Sequence, residues 1–239
     1  MTGDDMRIPC AARSFHAYGL GRRPGNIAAA AALAIVLGPF AAGAASAEQR
    51  IIALGDSLTA GYGLPEGEGF VPRLTEWLRA NGAPDAVVIN AGVSGDTTAG
   101  GLARADWTLA EPAEAVIVEL GANDMLRGLD PGQARDNLDA ILAKIDAKGL
   151  PVLLAGVPVI GNFGPDYQAT FTAIYPDLAA KYGAILYPSF FAGLTEGRDT
   201  AAARALIQPD GLHPNAEGVE AIVENIGPVV LELIARTEG

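Results

Sequence analysis

Cysteine is almost missing from this chain: its 239 residues include one, Cys10. That residue falls in the segment read below as an export signal, far upstream of the expected cleavage point, so it offers neither a disulfide nor a lipid attachment site, and the fold must stand on its core alone. Histidine is nearly as scarce, with His16 in the same segment and His213 near the other end. One imidazole, no accompanying thiolate and no H-E-x-x-H or EF-hand pattern argue against a catalytic metal, and neither metal nor cofactor is expected. Positive charge is also in deficit, with 16 Lys and Arg against 28 Asp and Glu and a net charge of -12. Such a surface repels phosphate backbones and leaves no basic stripe, which argues against a nucleic-acid partner.

The first 47 residues follow the order of an export signal. Arg22 and Arg23 precede an apolar run over residues 27–40, and the small-residue site Ala45-Ser46-Ala47 follows. Cleavage is expected after Ala47, which leaves residues 48–239 as a single exported domain, periplasmic or secreted and monomeric. The alternative is an uncleaved anchor, but the apolar run is short, rich in alanine and broken by Gly38 and Pro39. No stable membrane insertion of the mature chain is expected.

Five apolar runs read as strands, over residues 50–54, 86–90, 115–120, 152–155 and 185–187. The first four are nearly continuous, as strands covered on both faces should be. Amphipathic stretches over 69–80, 98–109, 131–148, 167–182 and 216–235 alternate with them or follow them. This βαβ series predicts an α/β fold, a three-layer α/β/α sandwich around a flavodoxin-like parallel sheet of five strands. Chemistry in such folds sits just beyond the carboxyl ends of the strands.

The first strand runs straight into Gly55-Asp56-Ser57-Leu58-Thr59-Ala60-Gly61, which puts a hydroxyl at such an end. The G-x-S-x-G elbow of the α/β-hydrolases is absent. Alone, Ser57 fits a turn or helix cap as well as a nucleophile. Its company shifts the balance: Asp210-Gly211-Leu212-His213-Pro214 precedes the last helix, and a carboxylate three residues before the ring can fix its tautomer and stabilise the imidazolium formed on taking the serine proton. The second and third strands end in Asn90-Ala91-Gly92-Val93-Ser94-Gly95-Asp96-Thr97 and Gly121-Ala122-Asn123-Asp124. Glycine N–H groups and an asparagine amide are suitable donors to an oxyanion, with Gly95 and Asn123 the candidates, whereas Asp96 and Thr97 suit helix capping.

Four blocks together, Gly55-Asp56-Ser57-Leu58, the Gly95 loop, Gly121-x-Asn123-Asp124 and Asp210-x-x-His213-Pro214, resemble those of the SGNH (GDSL) hydrolases, in that family's order. The runs 55–62, 94–97 and 119–128 are most similar to the bacterial periplasmic thioesterase, arylesterase and lysophospholipase group. The resemblance implies Ser57 as nucleophile, Asp210 and His213 as its base pair, and the N–H groups of Ser57 and Gly95 with the Asn123 side chain as oxyanion hole. Gly92 competes for the second block, but Gly95 begins the Gly-Asp-Thr match.

The resemblance implies hydrolysis of carboxylic esters and thioesters (aryl esters, acyl-CoA thioesters or lysophospholipids) through an acyl-enzyme on Ser57, with a small-molecule or lipid ester as the partner. Met125, Leu126 and Leu129, with Pro158, Val159 and Ile160, either line an acyl groove or simply pack over the sheet. Two alternatives stand beside this reading: a carbohydrate acetylesterase, which needs a short polar pocket, and a noncatalytic exported binding domain, which leaves the serine, asparagine, aspartate and histidine together unexplained.

Overall fold

Alternate side chains of each strand enter opposite layers, because successive Cβ atoms point to opposite faces of a sheet. Ile51 and Ala53 of the first strand join one apolar cluster while Ile52 and Leu54 join the other, and Ile117 and Val118 of the third divide in the same way. A computed structural model describes residues 48–159, 161 and 163–237. The five strands are β1 (Gln49–Gly55), β2 (Ala86–Gly92), β3 (Ala115–Glu119), β4 (Val152–Ala155) and β5 (Ile185–Tyr187). All pair in parallel, in the order β2-β1-β3-β4-β5, which is the flavodoxin-like arrangement expected. The expected signal segment, residues 1–47, lies outside the described residues.

The helices are α1 (Ser57–Ala60), α2 (Phe70–Ala80), α3 (Thr98–Thr108), α4 (Ala122–Leu126), α5 (Pro131–Asp146), α6 (Pro165–Tyr182), α7 (Ala192–Thr195), α8 (Thr200–Ala205) and α9 (Ala216–Ala235). Helices α2, α7 and α9 cover one face of the sheet, packing Leu74, Leu78, Ile222, Ile226 and Val230 onto it. Helices α3, α5 and α6 cover the other, through Ala105, Leu138, Ile141, Phe171 and Ile174. The five long helices fall where the periodicity predicts them, within a few residues. The four short ones, α1, α4, α7 and α8, are additions, since four to six residues are too few for an apolar stripe to repeat. No helix among the described residues is long and apolar enough to cross a membrane.

The strand order places β1 between β2 and β3, so the loops leaving these three strands emerge side by side. The strand ends are tied together there by Arg104 of α3. Its guanidinium donates to the carbonyls of Ala91 at 2.8 Å and Gly55 at 2.9 Å, and to Asp96 Oδ2 at 2.7 Å. Gly92 closes β2 directly against α1. A Cβ there would lie 2.4 Å from the Ala60 nitrogen and 2.8 Å from the Asp56 carbonyl, both backbone atoms that cannot swing away. Gly92→Ala is therefore expected to lower stability by about 1–3 kcal/mol, seen as an earlier urea midpoint; an unchanged midpoint would mean that the β2–α1 contact is looser than described.

Candidate active site

Asp56, not Ser57, caps the first short helix. Its Oδ1 accepts the Leu58 N–H at 3.0 Å, so Ser57 stands one residue inside the helix with its hydroxyl free for another partner. That partner is His213: the two side chains, 156 residues apart in sequence, bring Ser57 Oγ and His213 Nε2 to 2.9 Å. On the other side of the ring, Nδ1 lies 2.6 Å from Asp210 Oδ2. A carboxylate can only accept, so Nδ1 carries the hydrogen and Nε2 is left to receive the serine proton. The sequence brings aspartate and ring together through a tight loop, in which Asp210 Oδ1 also accepts the backbone N–H groups of Leu212 at 2.9 Å and His213 at 3.1 Å.

Two further contacts hold the histidine loop over the serine. Tyr62 sets its ring against the imidazole, with centroids 4.6 Å apart, and Gln208 donates to the Tyr62 carbonyl at 2.8 Å and the Pro214 carbonyl at 2.9 Å. The backbone of Gln208 also donates to the His213 carbonyl at 2.7 Å. Neither residue stands out in sequence; an aromatic five positions past the serine is the sole local cue for Tyr62.

Behind the serine lies a buried polar cluster. Asp56 and Glu119 are 0% and 1% exposed. Asp56 Oδ2 accepts from Asn123 Nδ2 at 3.0 Å, while Glu119 Oε2 accepts from Thr59 Oγ1 at 2.9 Å and, at longer range, from the Asp56 N–H at 3.4 Å. Burial pushes both carboxyls upward, and Glu119 is pushed well above the usual range because the Asp56 charge adds to its burial. Asp56 is pulled back by the Leu58 and Asn123 N–H groups, whereas Glu119 Oε1 has no partner. Of the two, Asp56 is therefore the better supplied with donors to its charged form, and Glu119 the one whose charged form is more strongly disfavoured. Glu119 was not singled out as a site residue in sequence, although a carboxyl closing an otherwise apolar strand is a visible cue.

The asparagine and glycine candidates come together with the serine. Gly95 and Asn123 both line the cleft that holds Ser57 and His213. The Gly95 backbone has φ +87°, in the left-handed region that glycine adopts freely, while Gly92 is packed against α1 and does not line this cleft. Ser57 opens α1, so its backbone N–H has no intrahelical acceptor. Thr97 caps α3 through Gly100 N–H, and Asp96 pairs with Arg104. Asp124 also serves α3, accepting from Thr98 N at 2.8 Å and Thr98 Oγ1 at 2.7 Å, which pins the loops after β2 and β3 together.

The cleft measures about 970 Å³ and its walls are predominantly apolar. Met125, Leu126 and Pro158 line it, together with Val157. Leu129 and Val159 do not: Leu129 is exposed, and Val159 is half-buried against the apolar cluster that includes Val157 and Phe171. Ile160 lies outside the described residues. The cleft is lined further by Phe191, Leu194, Ala203 and Ile207 from the region of α7 and α8, where the sequence carries no motif, and by Leu212 of the histidine loop. Among the described residues no group of His, Cys, Asp and Glu is arranged to hold a metal ion.

A hydroxyl on a helix start, an imidazole at hydrogen-bond distance and a carboxylate against that imidazole, in a cleft that Gly95 and Asn123 also line, are the arrangement of a hydrolase of the SGNH type. The chain belongs to the GDSL-like lipase/acylhydrolase family, whose model matches residues 53–221. Its relatives include the esterase TesA of Pseudomonas aeruginosa, 38% identical over 190 residues, spanning 79% of this chain and 91% of that one. The thioesterase 1/protease 1/lysophospholipase L1 of Escherichia coli K12 is 34% identical over 181 residues, 75% of this chain and 82% of that one. Among solved structures, the SGNH-hydrolase family esterase AlinE4 is 45% identical with a TM-score of 0.63, covering 77% of this chain and 96% of its own.

Asp210 titrates low, at about 2, because the Leu212 N–H and then the His213 ring hold its charged form. Its folded value lies below the ordinary 3.8, so whatever stability the group contributes is present above that value and is lost as pH falls toward 2. Carbon-detected NMR titration of the Asp210 carboxyl should give a midpoint near 2; an ordinary aspartate midpoint would contradict the contact with His213.

Proposed function

We propose that the protein is an exported serine hydrolase that cleaves carboxylic esters and thioesters through an acyl-enzyme on Ser57. The observation that carries this reading is the unbroken line from Asp210 through His213 to Ser57 Oγ, opening into an apolar cleft. His213 takes the serine proton as Oγ attacks the substrate carbonyl, and Asp210 stabilises the imidazolium. Negative charge then builds on the carbonyl oxygen, facing the N–H groups of Ser57 and Gly95 and the Asn123 amide. The imidazolium returns its proton to the departing alcohol or thiol. Water, deprotonated by the same ring, attacks the acyl-serine and releases the acid, leaving Ser57 and His213 as they began.

The apolar walls favour acyl chains and aryl groups. The names of the relatives, an esterase and a thioesterase/lysophospholipase, support the same range of ester and thioester substrates. Met125, Leu126 and Pro158 would contact substrate on one side, and Phe191, Leu194 and Ile207 on the other. A sugar acetylesterase would need a smaller and more polar recess than this cleft provides. Residues 1–47 act, in this account, as a signal removed after Ala47, and the working domain is periplasmic or secreted and monomeric.

Hydrolysis of aryl esters and acyl-CoA thioesters of rising acyl length tests the assignment. Activity is expected to extend past acetyl in both series, to fall by about 10⁴-fold or more in Ser57→Ala, and by about 10²- to 10³-fold in Asn123→Ala with little change in KM. A preference for acetylated sugars over every acyl chain, or full activity in Ser57→Ala, would overturn it.

A further inference from the structure

Arg127 ends α4, four residues after Asn123, and its side chain is exposed. One nitrogen, Nη2, donates to the Gly95 carbonyl at 2.8 Å and reaches Asn123 Oδ1 at 3.4 Å. A guanidinium nitrogen carries two hydrogens, so this single atom spans the loops that follow β2 and β3. Both hydrogen bonds that Arg127 makes through its side chain among the described residues go to these two loops.

The consequence falls on the Asn123 amide. Its Nδ2 end faces the Asp56 carboxylate at 3.0 Å and its Oδ1 end faces the Arg127 guanidinium. An asparagine amide has nearly the same shape after a half-turn, and only its partners distinguish the two orientations. A flip here would set oxygen against carboxylate and N–H against guanidinium, two repulsions in place of two attractions. One orientation survives, and in it the second Nδ2 hydrogen is free of Asp56. The Gly95 loop gains from the same contact, because a glycine in the left-handed region has no side chain to restrain it and its carbonyl is anchored by Arg127 instead.

We propose that Arg127 is a positioning residue for acyl transfer, a cationic clamp that fixes the Asn123 amide and the Gly95 loop in the orientation that receives the oxyanion, without itself touching substrate. This rests on the oxyanion role given to Asn123 and Gly95 above. A donor displaced by a fraction of an ångström still binds the ground state but no longer meets the transition state, so the loss belongs in kcat and not in KM.

The test uses Arg127→Ala, Arg127→Gln and Arg127→Lys with an uncharged aryl ester, at low and high salt, each alone and combined with Asn123→Ala. Arg127→Ala and Arg127→Gln are expected to lose about 10- to 100-fold in kcat with KM within about twofold. Lysine, a point charge unable to span both oxygens in the same plane, should recover only part of the loss. In the Asn123→Ala background the same changes should cost less than they do in the wild type, since one of the two groups they position is gone and only the Gly95 loop is left to misplace. Methylguanidinium in solution should restore part of the Arg127→Ala loss and none of the Asn123→Ala loss. Unchanged kcat, a loss confined to KM, or a full additional loss in the Asn123→Ala background would each overturn the proposal. Thermal melts verify folding of each variant, with Arg127→Gln as the milder replacement should Arg127→Ala unfold. Wild-type turnover that survives Ser57→Ala would instead sink the hydrolase reading itself, which keeps the two failures apart.

Discussion

The contact between Ser57 Oγ and His213 Nε2, 2.9 Å long and bridging 156 residues, is the one on which the site depends. Neither partner could hold it alone. Ser57 is presented by β1, an interior strand of the sheet, and His213 arrives from a loop between α8 and α9 after the chain has crossed the sheet. The parallel sheet fixes the first, through strand pairing on both sides of β1 and the Arg104 tie across the strand ends. The second is fixed by the Asp210 turn, by the contact of the Tyr62 ring and by the two hydrogen bonds of Gln208 to Tyr62 and Pro214. A catalytic line of three residues thus rests on a network of neutral and charged hydrogen bonds around it.

Electrostatically the site is asymmetric. The acid that orients the histidine is partly exposed, well supplied with N–H donors and strongly acidic. The acid beneath the serine, Asp56, is buried and pushed upward, with the Leu58 cap and the Asn123 amide pulling it back, while Glu119 beside it is pushed higher still. Burying two adjacent carboxyls is costly, and fold stability alone gives no reason for it. Its return is an amide held by the Asp56 carboxyl on one side and by the Arg127 guanidinium on the other. Preorganised dipoles of this kind are what stabilise an oxyanion at no further cost during reaction.

Much of this was legible in the chain itself. Parallel strands covered on both faces are largely apolar, which is why the strands were visible as runs, and long helices covering them must repeat at 3.6 residues. Scarcity made His213 conspicuous, because one histidine outside the first 47 residues leaves a serine one imidazole to meet. The ambiguity over Ser57 as a cap came from sequence adjacency, and dissolves once Asp56 is seen to cap the helix. Helices of four to six residues leave no period to detect, so α7 and α8 went unseen, and with them the cleft wall of Phe191, Leu194 and Ile207. Arg127 was hidden for a different reason: its partners are a backbone carbonyl and an amide oxygen on another loop, and pairings of that kind exist only in three dimensions.

The central claim is that Ser57 is a nucleophile activated by His213. Its most direct test is covalent: intact-mass measurement of the protein after exposure to an alkyl phosphonate, followed by mapping of the modified peptide. The account predicts one adduct per chain, located on Ser57, formed far more slowly in His213→Ala and absent in Ser57→Ala. No adduct on the wild-type chain, or an adduct on a different residue, would contradict it.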